Sequence, residues 1–331
     1  MLFNPQDISR DFKPDFSFFS QHDSLTKLVQ HVKYDVFNFD VLRLDLMNEF
    51  WGGNKLFKLK ENIQFVLDNK LKGVVTFGGA NSNHLYATAA LCNQFNLPCV
   101  VLVRGEAKLR QTSTLTFMES KGATIYNLNR TDYKNKNQPE FLAYIEKLFP
   151  DFHIIPEGGN NLLGIKGCES ILPGVQNNYD YILCACGTAT TFTGIYNASL
   201  KNQIVIGISV LKGANRLIHD VNARLLNLNS KPYIEENREL TGEIISSTIL
   251  NDYAFSGYAA FDKELIEFKN NFETETSIPL DYIYTSKLFY GASDLIRKKR
   301  ISETKKVLII HCGGLQGNAD YEARYHLTDK R

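Results

Sequence analysis

Three stretches of the 331-residue chain combine residue types able to hold, or react with, a small molecule. The first is Gly52-Gly53-Asn54-Lys55. A lysine just behind a flexible Gly-Gly pair, near a helix N-terminus whose partial positive charge opposes protonation, is a candidate amine nucleophile. Its plain alternative is a solvated surface lysine. The second is Gly187-Thr188-Ala189-Thr190-Thr191. Small residues there let the backbone approach an anion, the hydroxyls donate, and the following helix turns its N–H groups toward the same place. A phosphate suits such a loop, and a simple strand-to-helix turn is the alternative. The third is Gly78-Gly79-Ala80-Asn81-Ser82-Asn83-His84. Two glycines, capping candidates and side-chain donors at a helix start would bind a carboxylate by the same physics, or would merely cap the helix well. None of these loops has the Walker or GxGxxG spacing, so nucleotide binding is not favoured.

The elements around these loops must place them. From residue 73 the chain alternates β-branched runs with helical patterns, the signature of βα units and a parallel sheet. Strands are expected at Val74–Phe77, Cys99–Val103 and Thr124–Leu128, with helices over Ser82–Phe95, Gln111–Ser120 and Pro139–Phe149. A second series places strands at Tyr181–Cys186, Ile204–Leu211 and Lys306–Cys312, and helices over Thr190–Leu200, Gly213–Leu228 and Ser286–Arg300. Two of the three loops directly follow strands, where open α/β sheets bind their ligands. The stretch 229–279 is less regular, with polar runs at 235–239 and 270–277, and the chain has no internal repeat. The basic run Arg297-Lys298-Lys299-Arg300 reads as a solvated helix end.

With 37 Lys+Arg against 36 Asp+Glu the net charge is +1, which lacks the basic excess that nucleic-acid binding needs. At 44% hydrophobic and 22% charged residues the composition is that of a soluble globular protein of one or two domains. No apolar run approaches the ~18 residues of a membrane span, and the start, Met1 to Asp7, has neither the basic nor the apolar region of a secretory signal. The six cysteines lack CxxC spacing and are expected to be reduced, buried and cytoplasmic, with no metal. One lysine, one phosphate cradle and one carboxylate cradle in a single α/β chain are the parts of a pyridoxal-phosphate enzyme acting on an amino acid.

At Gly52 to Lys55 and Gly78 to His84 the chain resembles the 1-aminocyclopropane-1-carboxylate deaminase and D-cysteine desulfhydrase family. The resemblance continues through Gly187 to Thr191, Phe255-Ser256-Gly257-Tyr258, Tyr284-Thr285-Ser286-Lys287 and His311-Cys312-Gly313-Gly314. It implies the two-domain tryptophan synthase β-like fold (fold type II), with open parallel sheets flanked by helices. A large cofactor-binding domain would comprise residues 1–58 plus 166–331, and a small α/β domain, residues 59–165, would carry the carboxylate loop. It also implies pyridoxal phosphate as cofactor, a small amino acid as substrate and a homodimer. By position, Lys55 matches the lysine that holds the cofactor, Gly187, Thr188, Ala189, Thr190 and Thr191 the phosphate loop, and Lys58 a supporting phosphate contact. Asn83 matches the residue beside the cofactor's phenolic oxygen, and Asn81, Ser82, Asn83 and His84 the substrate-carboxylate site. Tyr258 and Tyr284 match the pair of active-site tyrosines, and Thr285 the position next to the pyridine nitrogen.

Two departures stand out. Phe57 replaces the arginine usual two residues after the lysine, and the loop before Gly52 is shortened around Arg43-Leu44-Asp45. The deaminases typically carry Glu at the position of Thr285, where a carboxylate favours a protonated, electron-withdrawing ring. Cys312 stands where deaminases tend to have Leu and desulfhydrases Thr, and His84 follows the desulfhydrase form. The expected reaction is therefore β-elimination on D-cysteine or a related amino acid, giving pyruvate, ammonia and sulfide. The alternatives are a true deaminase forming α-ketobutyrate and ammonia, and a cofactor-binding homologue with little turnover.

Overall fold

The computed structural model describes residues 22–327 except 36, 106–111, 176–177, 214, 229–233, 235–241 and 261. The chain start, the polar run at 235–239 and Gln111 as a helix start lie outside the described residues. The first described strands, β1 (Val29–Tyr34) and β2 (Phe37–Arg43), form an antiparallel pair. There follow helix α1 (Asn54–Asp68), β3 (Gly73–Gly79), α2 (Asn83–Gln94), β4 (Cys99–Arg104), α3 (Ser113–Ser120) and β5 (Thr124–Leu128). After α4 (Arg130–Lys134), α5 (Pro139–Leu148), β6 (Phe152–Ile155) and α6 (Leu162–Glu169) come β7 (Tyr181–Cys186), α7 (Thr190–Ala198), β8 (Ile204–Ser209) and α8 (Asn215–Asn227). The chain closes with β9 (Thr248–Leu250), α9 (Lys263–Thr276), α10 (Thr285–Arg297), β10 (Val307–His311) and α11 (Asn318–Tyr325).

The strands make two open sheets. One has four parallel strands in the order β5-β4-β3-β6; the other has six, β1-β2-β10-β7-β8-β9, parallel except for β1. Parallel strands covered on both faces read as continuous apolar runs. β7 shows this: Ile182, Cys184 and Cys186 join one core cluster, and Tyr181, Leu183 and Ala185 the other. On the first face lie Phe192 and Ile195 of α7 and Val221 and Leu225 of α8; on the second lie Phe272 of α9 and Leu288, Phe289, Ala292 and Leu295 of α10. The first cluster also takes in Leu56, Phe57, Leu59 and Ile63 of α1 and Val101 and Val103 of β4, so one apolar layer joins the two sheets. Each such side chain stabilises this layer by about 1.5–3 kcal/mol.

Expected elements and observed ones agree closely where the apolar run is bounded by turn residues, as in β5 and β7. The region read as irregular holds β9 and α9. Its helix was hidden because only Leu265, Lys269 and Phe272 are buried along it. It is started by Asp262, whose side chain accepts from the Leu265 N–H. Phe57 is a 4% exposed core residue, which explains how the chain accommodates an aromatic there. The shortened Arg43–Asp45 stretch is locked by a buried bidentate pair, Arg43 Nε and Nη2 donating to the Asp45 carboxylate at 2.7–3.2 Å, with His311 Nδ1 3.0 Å away. Burial alone would raise the Asp45 carboxyl, but the bonds from His311 and Arg43 outweigh it and hold it at about 2. All six cysteines are free and buried. No helix among the described residues is long and apolar enough to cross a membrane.

Candidate active site

Parallel strands deliver their following loops to one edge of their sheet, so the segments after β2, β7 and β10 of the six-stranded sheet can meet, and the loop after β3 of the other sheet joins them where Gln316 donates to Asn83. The segment after β2 returns to the sheet through Gly53, whose N–H donates to Leu44 O at 2.8 Å, while the Asn54 N–H donates to Cys312 O at 3.2 Å. Gly53 has φ +76°, and a Cβ built on it would stand 2.2 Å from Cys312 O. Only glycine serves where φ must be positive and the backbone so close to the carbonyl of the residue that follows β10. This contact sets α1 starting over the loop after β10, with Lys55 in its first turn.

Asn54, 6% exposed, links two of the three loops. Its Oδ1 accepts from Lys55 Nζ at 2.7 Å, and its Nδ2 donates to Thr191 Oγ1 at 2.8 Å. Sequence reasoning passed over it, since a polar residue at a helix start is ordinary and its partner lies 137 residues away. Lys55 Nζ stands 5.9 Å from the Tyr284 ring centroid. Burial first, and then the Lys58 charge, push the Lys55 amine down to about 7, so near neutrality much of it is the free nucleophile. One turn along α1, Lys58 is 5% exposed and is likewise lowered, chiefly by burial. No described residue accepts a hydrogen bond from its ammonium, and the groups acting on it are the thiols of Cys168, Cys312 and Cys186, and Arg224. A buried cation without a counter-charge is costly, and a bound anion would relieve it.

That anion has a place at the start of α7. Ala189 is left-handed (φ 56°, ψ 9°) and turns the chain so that the first N–H groups of the helix are presented without an earlier turn to satisfy them. The hydroxyls behave differently from the expectation that they donate to the ligand. Thr190 Oγ1 donates to Asn160 Oδ1 at 2.9 Å, so Thr188 must donate to Thr190, also at 2.9 Å. Thr191 Oγ1 accepts from Asn54, and its own proton goes to the Cys168 thiol. The donors left for an anion are main-chain N–H groups and Lys58, with Arg224 bracing the loop through Thr188 O at 2.9 Å. Gly187 faces the Tyr284 ring, whose Cε1 would lie 3.1 Å from a Cβ there. An uncompensated buried ammonium, an N-terminal helix turn and an amine near neutrality fit the phosphate and aldehyde ends of pyridoxal phosphate.

The loop after β3 holds Asn81, exposed, and Ser82, the N-cap of α2, whose Oγ accepts from Leu85 N at 3.3 Å. Asn83 Oδ1 accepts from Gln316 Nε2, a residue unread in the sequence, which leaves the Asn83 amide N–H₂ to serve a ligand. His84 does not suit the carboxylate role expected for it. It is 2% exposed and its Nε2 lies 2.8 Å from Thr76 Oγ1, which spends its one proton on Ile155 O at 2.8 Å. The imidazole must therefore donate from Nε2. Its Nδ1 is an acceptor with no partner among the described residues, and burial with the charges of Lys55 and Lys58 keeps the ring neutral. Such a ring offers a carboxylate no donor.

Tyr258 and Tyr284 stand edge to face, 6.0 Å between centroids at 76°. Burial raises the Tyr284 phenol well above 10; Tyr258, though 48% exposed overall, has its phenol raised by the desolvation of the same site, so both keep their protons at neutral pH. Thr285 is fully buried in the first turn of α10, and its hydroxyl closes on Asp281: it donates to Oδ2 at 2.7 Å and accepts the Asp281 N–H at 2.6 Å. The other Asp281 oxygen accepts from Ile283 N and Tyr284 N at 2.9 and 2.7 Å, so this carboxylate is saturated and orients both site residues. Thr285 has no proton left for a ligand, and Asp281 was not foreseen. Burial pushes the Cys312 thiol up to about 12.

The family described as "Pyridoxal-phosphate dependent enzyme" matches residues 28–313. A Pyrococcus horikoshii protein provisionally named 1-aminocyclopropane-1-carboxylate deaminase is 27% identical over 310 residues, 90% of each chain. The Arabidopsis thaliana bifunctional D-cysteine desulfhydrase/1-aminocyclopropane-1-carboxylate deaminase is 26% identical over 291 residues, 81% of this chain and 70% of its own. Among solved structures, an ACC deaminase homologue superposes with a TM-score of 0.74 at 24% identity, over 88% of this chain and 89% of that one. A threonine deaminase isoform from Solanum lycopersicum does so with 0.62 at 14% identity, over 95% and 92%. These structural likenesses bear on the fold alone, which is the type II arrangement of open parallel sheets flanked by helices.

Proposed function

Because the chain belongs to the pyridoxal-phosphate-dependent enzymes, we propose that it eliminates the β-substituent of D-cysteine or a related small amino acid, consuming one water and releasing pyruvate, ammonia and sulfide. Its cofactor is pyridoxal phosphate. When bound, that group supplies a conjugated ring that takes up negative charge from the substrate's α-carbon. Lys55 would hold it, with Lys58 and the main chain of Gly187 to Thr191 on its phosphate and the Asn83 amide beside its phenolic oxygen. Ser82 and Asn81, at the mouth of α2, would receive the substrate carboxylate at the helix N-terminus.

The observation that carries the reading is the place of the Lys55 amine, bonded to Asn54 Oδ1 at 2.7 Å and 5.9 Å from the Tyr284 ring centroid, where burial and the Lys58 charge lower it to about 7. Elimination needs a base for the α-proton, and a base is most effective when its pKa lies near the working pH. Burial and Lys58 supply that value, and the bond to Asn54 Oδ1 fixes where the amine sits. The two protonated phenols, Tyr258 and Tyr284, are placed to return a proton or to hold the departing sulfur. The saturated Asp281 and the proton-spent Thr285 leave the ring nitrogen without a free carboxylate, which favours elimination over the ring opening of a cyclopropane.

The cytoplasmic location is supported by six free, buried cysteines, and the homodimer by the family resemblance. The expected domain limits at 58/59 and 165/166 fall within α1 and α6; the two sheets support the division itself.

The test is to reconstitute the protein with pyridoxal phosphate, add D-cysteine or 1-aminocyclopropane-1-carboxylate separately, and assay both 2-oxo acids. Pyruvate from D-cysteine alone is the expected result. α-Ketobutyrate from the cyclopropane substrate would transfer the assignment to a deaminase, and neither product, with a saturable spectral change, would leave a binding homologue.

A further inference from the structure

The helix that carries Tyr284 and Thr285 also carries a buried ammonium without a carboxylate partner among the described residues. Lys287 is 1% exposed, and its Nζ donates to three main-chain oxygens: Gly257 O at 2.7 Å, Ala254 O at 2.8 Å and Val210 O at 3.3 Å. An ammonium has three N–H donors, and all three are used. Val210 directly follows β8, while Ala254 and Gly257 belong to the turn between β9 and α9. That turn is sharply bent. Phe255, Gly257 and Ala259 have φ of 51°, 111° and 52°. Non-glycine residues persist in this region only where their surroundings over-determine it. Here the surroundings are the Lys287 clasp, the Gly257 N–H to Ala254 O bond at 3.0 Å, and the phenols of Tyr325 and Tyr321 on Ala259 O and Ala260 O at 3.1 and 2.8 Å. The residue this turn delivers is Tyr258, which meets Tyr284, three residues before Lys287 on the same helix.

We propose that Lys287 is a positioning residue for the tyrosine pair, a tethered monovalent cation that gathers the carbonyls of Val210, Ala254 and Gly257 and so sets Tyr258 against Tyr284. Rings of main-chain carbonyls hold free monovalent cations in the same way. Burial pushes the Lys287 amine down to about 8, as it would any ammonium held by neutral oxygens alone. The kinetic consequence rests on the reading that the two phenols face the reaction; the clasp itself does not.

The test uses Lys287→Ala, which empties the clasp, and Lys287→Met, which keeps the apolar stem and blocks it. Each holoenzyme is compared with the wild type in ammonium, potassium and choline chloride at equal ionic strength, by D-cysteine turnover and by melting midpoint. In choline chloride both variants should lose roughly tenfold or more in kcat, the scale of a displaced catalytic group. Ammonium or potassium, but not choline, should restore Lys287→Ala several-fold and raise its midpoint, leaving Lys287→Met and the wild type unmoved. If D-cysteine proves not to be a substrate, the cation-selective midpoint of Lys287→Ala still decides. Wild-type kcat and midpoint in both variants, recovery that choline gives equally well, or a Lys287→Ala protein that no salt restores would each overturn the proposal.

Discussion

Lys55→Ala is expected to lower kcat by at least about 10³-fold while leaving far-UV circular dichroism unchanged, because in the proposed assignment it removes a general base and the covalent anchor together. The side chain contributes little to the core around it: its amine lies in the site, bonded to Asn54. The same amine makes a prediction about pH. Capture of pyridoxal phosphate by the apo-protein needs the unprotonated form. With the Lys55 pKa lowered to about 7, the capture rate should rise with pH through a midpoint near 7 and level off above it. A solvated lysine would still be gaining reactivity at pH 10. Stopped-flow capture across pH 5.5–9.5, with Lys55→Ala as the blank, reads both statements (the range spans about 1.5 units or more on either side of that midpoint).

Gly53→Ala should be nearly as damaging, through the backbone. At φ 76° and ψ −164° a residue other than glycine costs about 1–3 kcal/mol, and overpacking against atoms that cannot move costs about 1–3 kcal/mol more. The added Cβ would meet Cys312 O at 2.2 Å. Since Cys312 O also accepts the Asn54 N–H, the displacement passes directly to Asn54 and Lys55. A stability loss of roughly 2–6 kcal/mol in urea unfolding, the sum of those two costs, should accompany a large fall in kcat. Gly122→Ala is the control, because Gly122 has φ +78° with nothing within 4 Å of its added Cβ. It should show the conformational cost alone and leave turnover unchanged. Equal losses in the two variants would mean that the approach to Cys312 carries no weight.

How far the site could be read in the sequence follows from the range of the interactions that build it. Lys55, the Gly187–Thr191 loop and the Gly78–His84 loop were legible because each depends on local chemistry: glycines where the chain turns, small residues at helix starts, an amine behind them. The structure brings all three together. Asn54, Asp281, Gln316 and Arg224 were not legible, because each matters through a partner distant in sequence or through backbone geometry that residue type does not disclose. Asn54 joins α1 to α7, Gln316 joins the loop after β10 to the loop after β3, and Asp281 gathers the first turn of α10.

His84 shows the opposite failure. Its place in the loop suggested a ligand contact, but the deciding fact is a proton on Thr76, eight residues back, committed to a carbonyl on a neighbouring strand. For the fold, strands buried on both faces were legible as apolar runs. β1 was left unread because its burial alternates irregularly, and α9 because its apolar stripe has only three buried residues, one of them a lysine. Phe57 is explained once its neighbours are known to be core rather than cofactor.

In the proposed assignment Lys55, and not Lys58, carries the cofactor, while Lys58 supplies the charge for the phosphate. The most direct measurement is borohydride reduction of the reconstituted protein followed by peptide mass mapping. A single pyridoxyl phosphate label on Lys55, with Lys58 unlabelled, is the expected result. A label on Lys58 or on another lysine, or no reducible label at all, would contradict it.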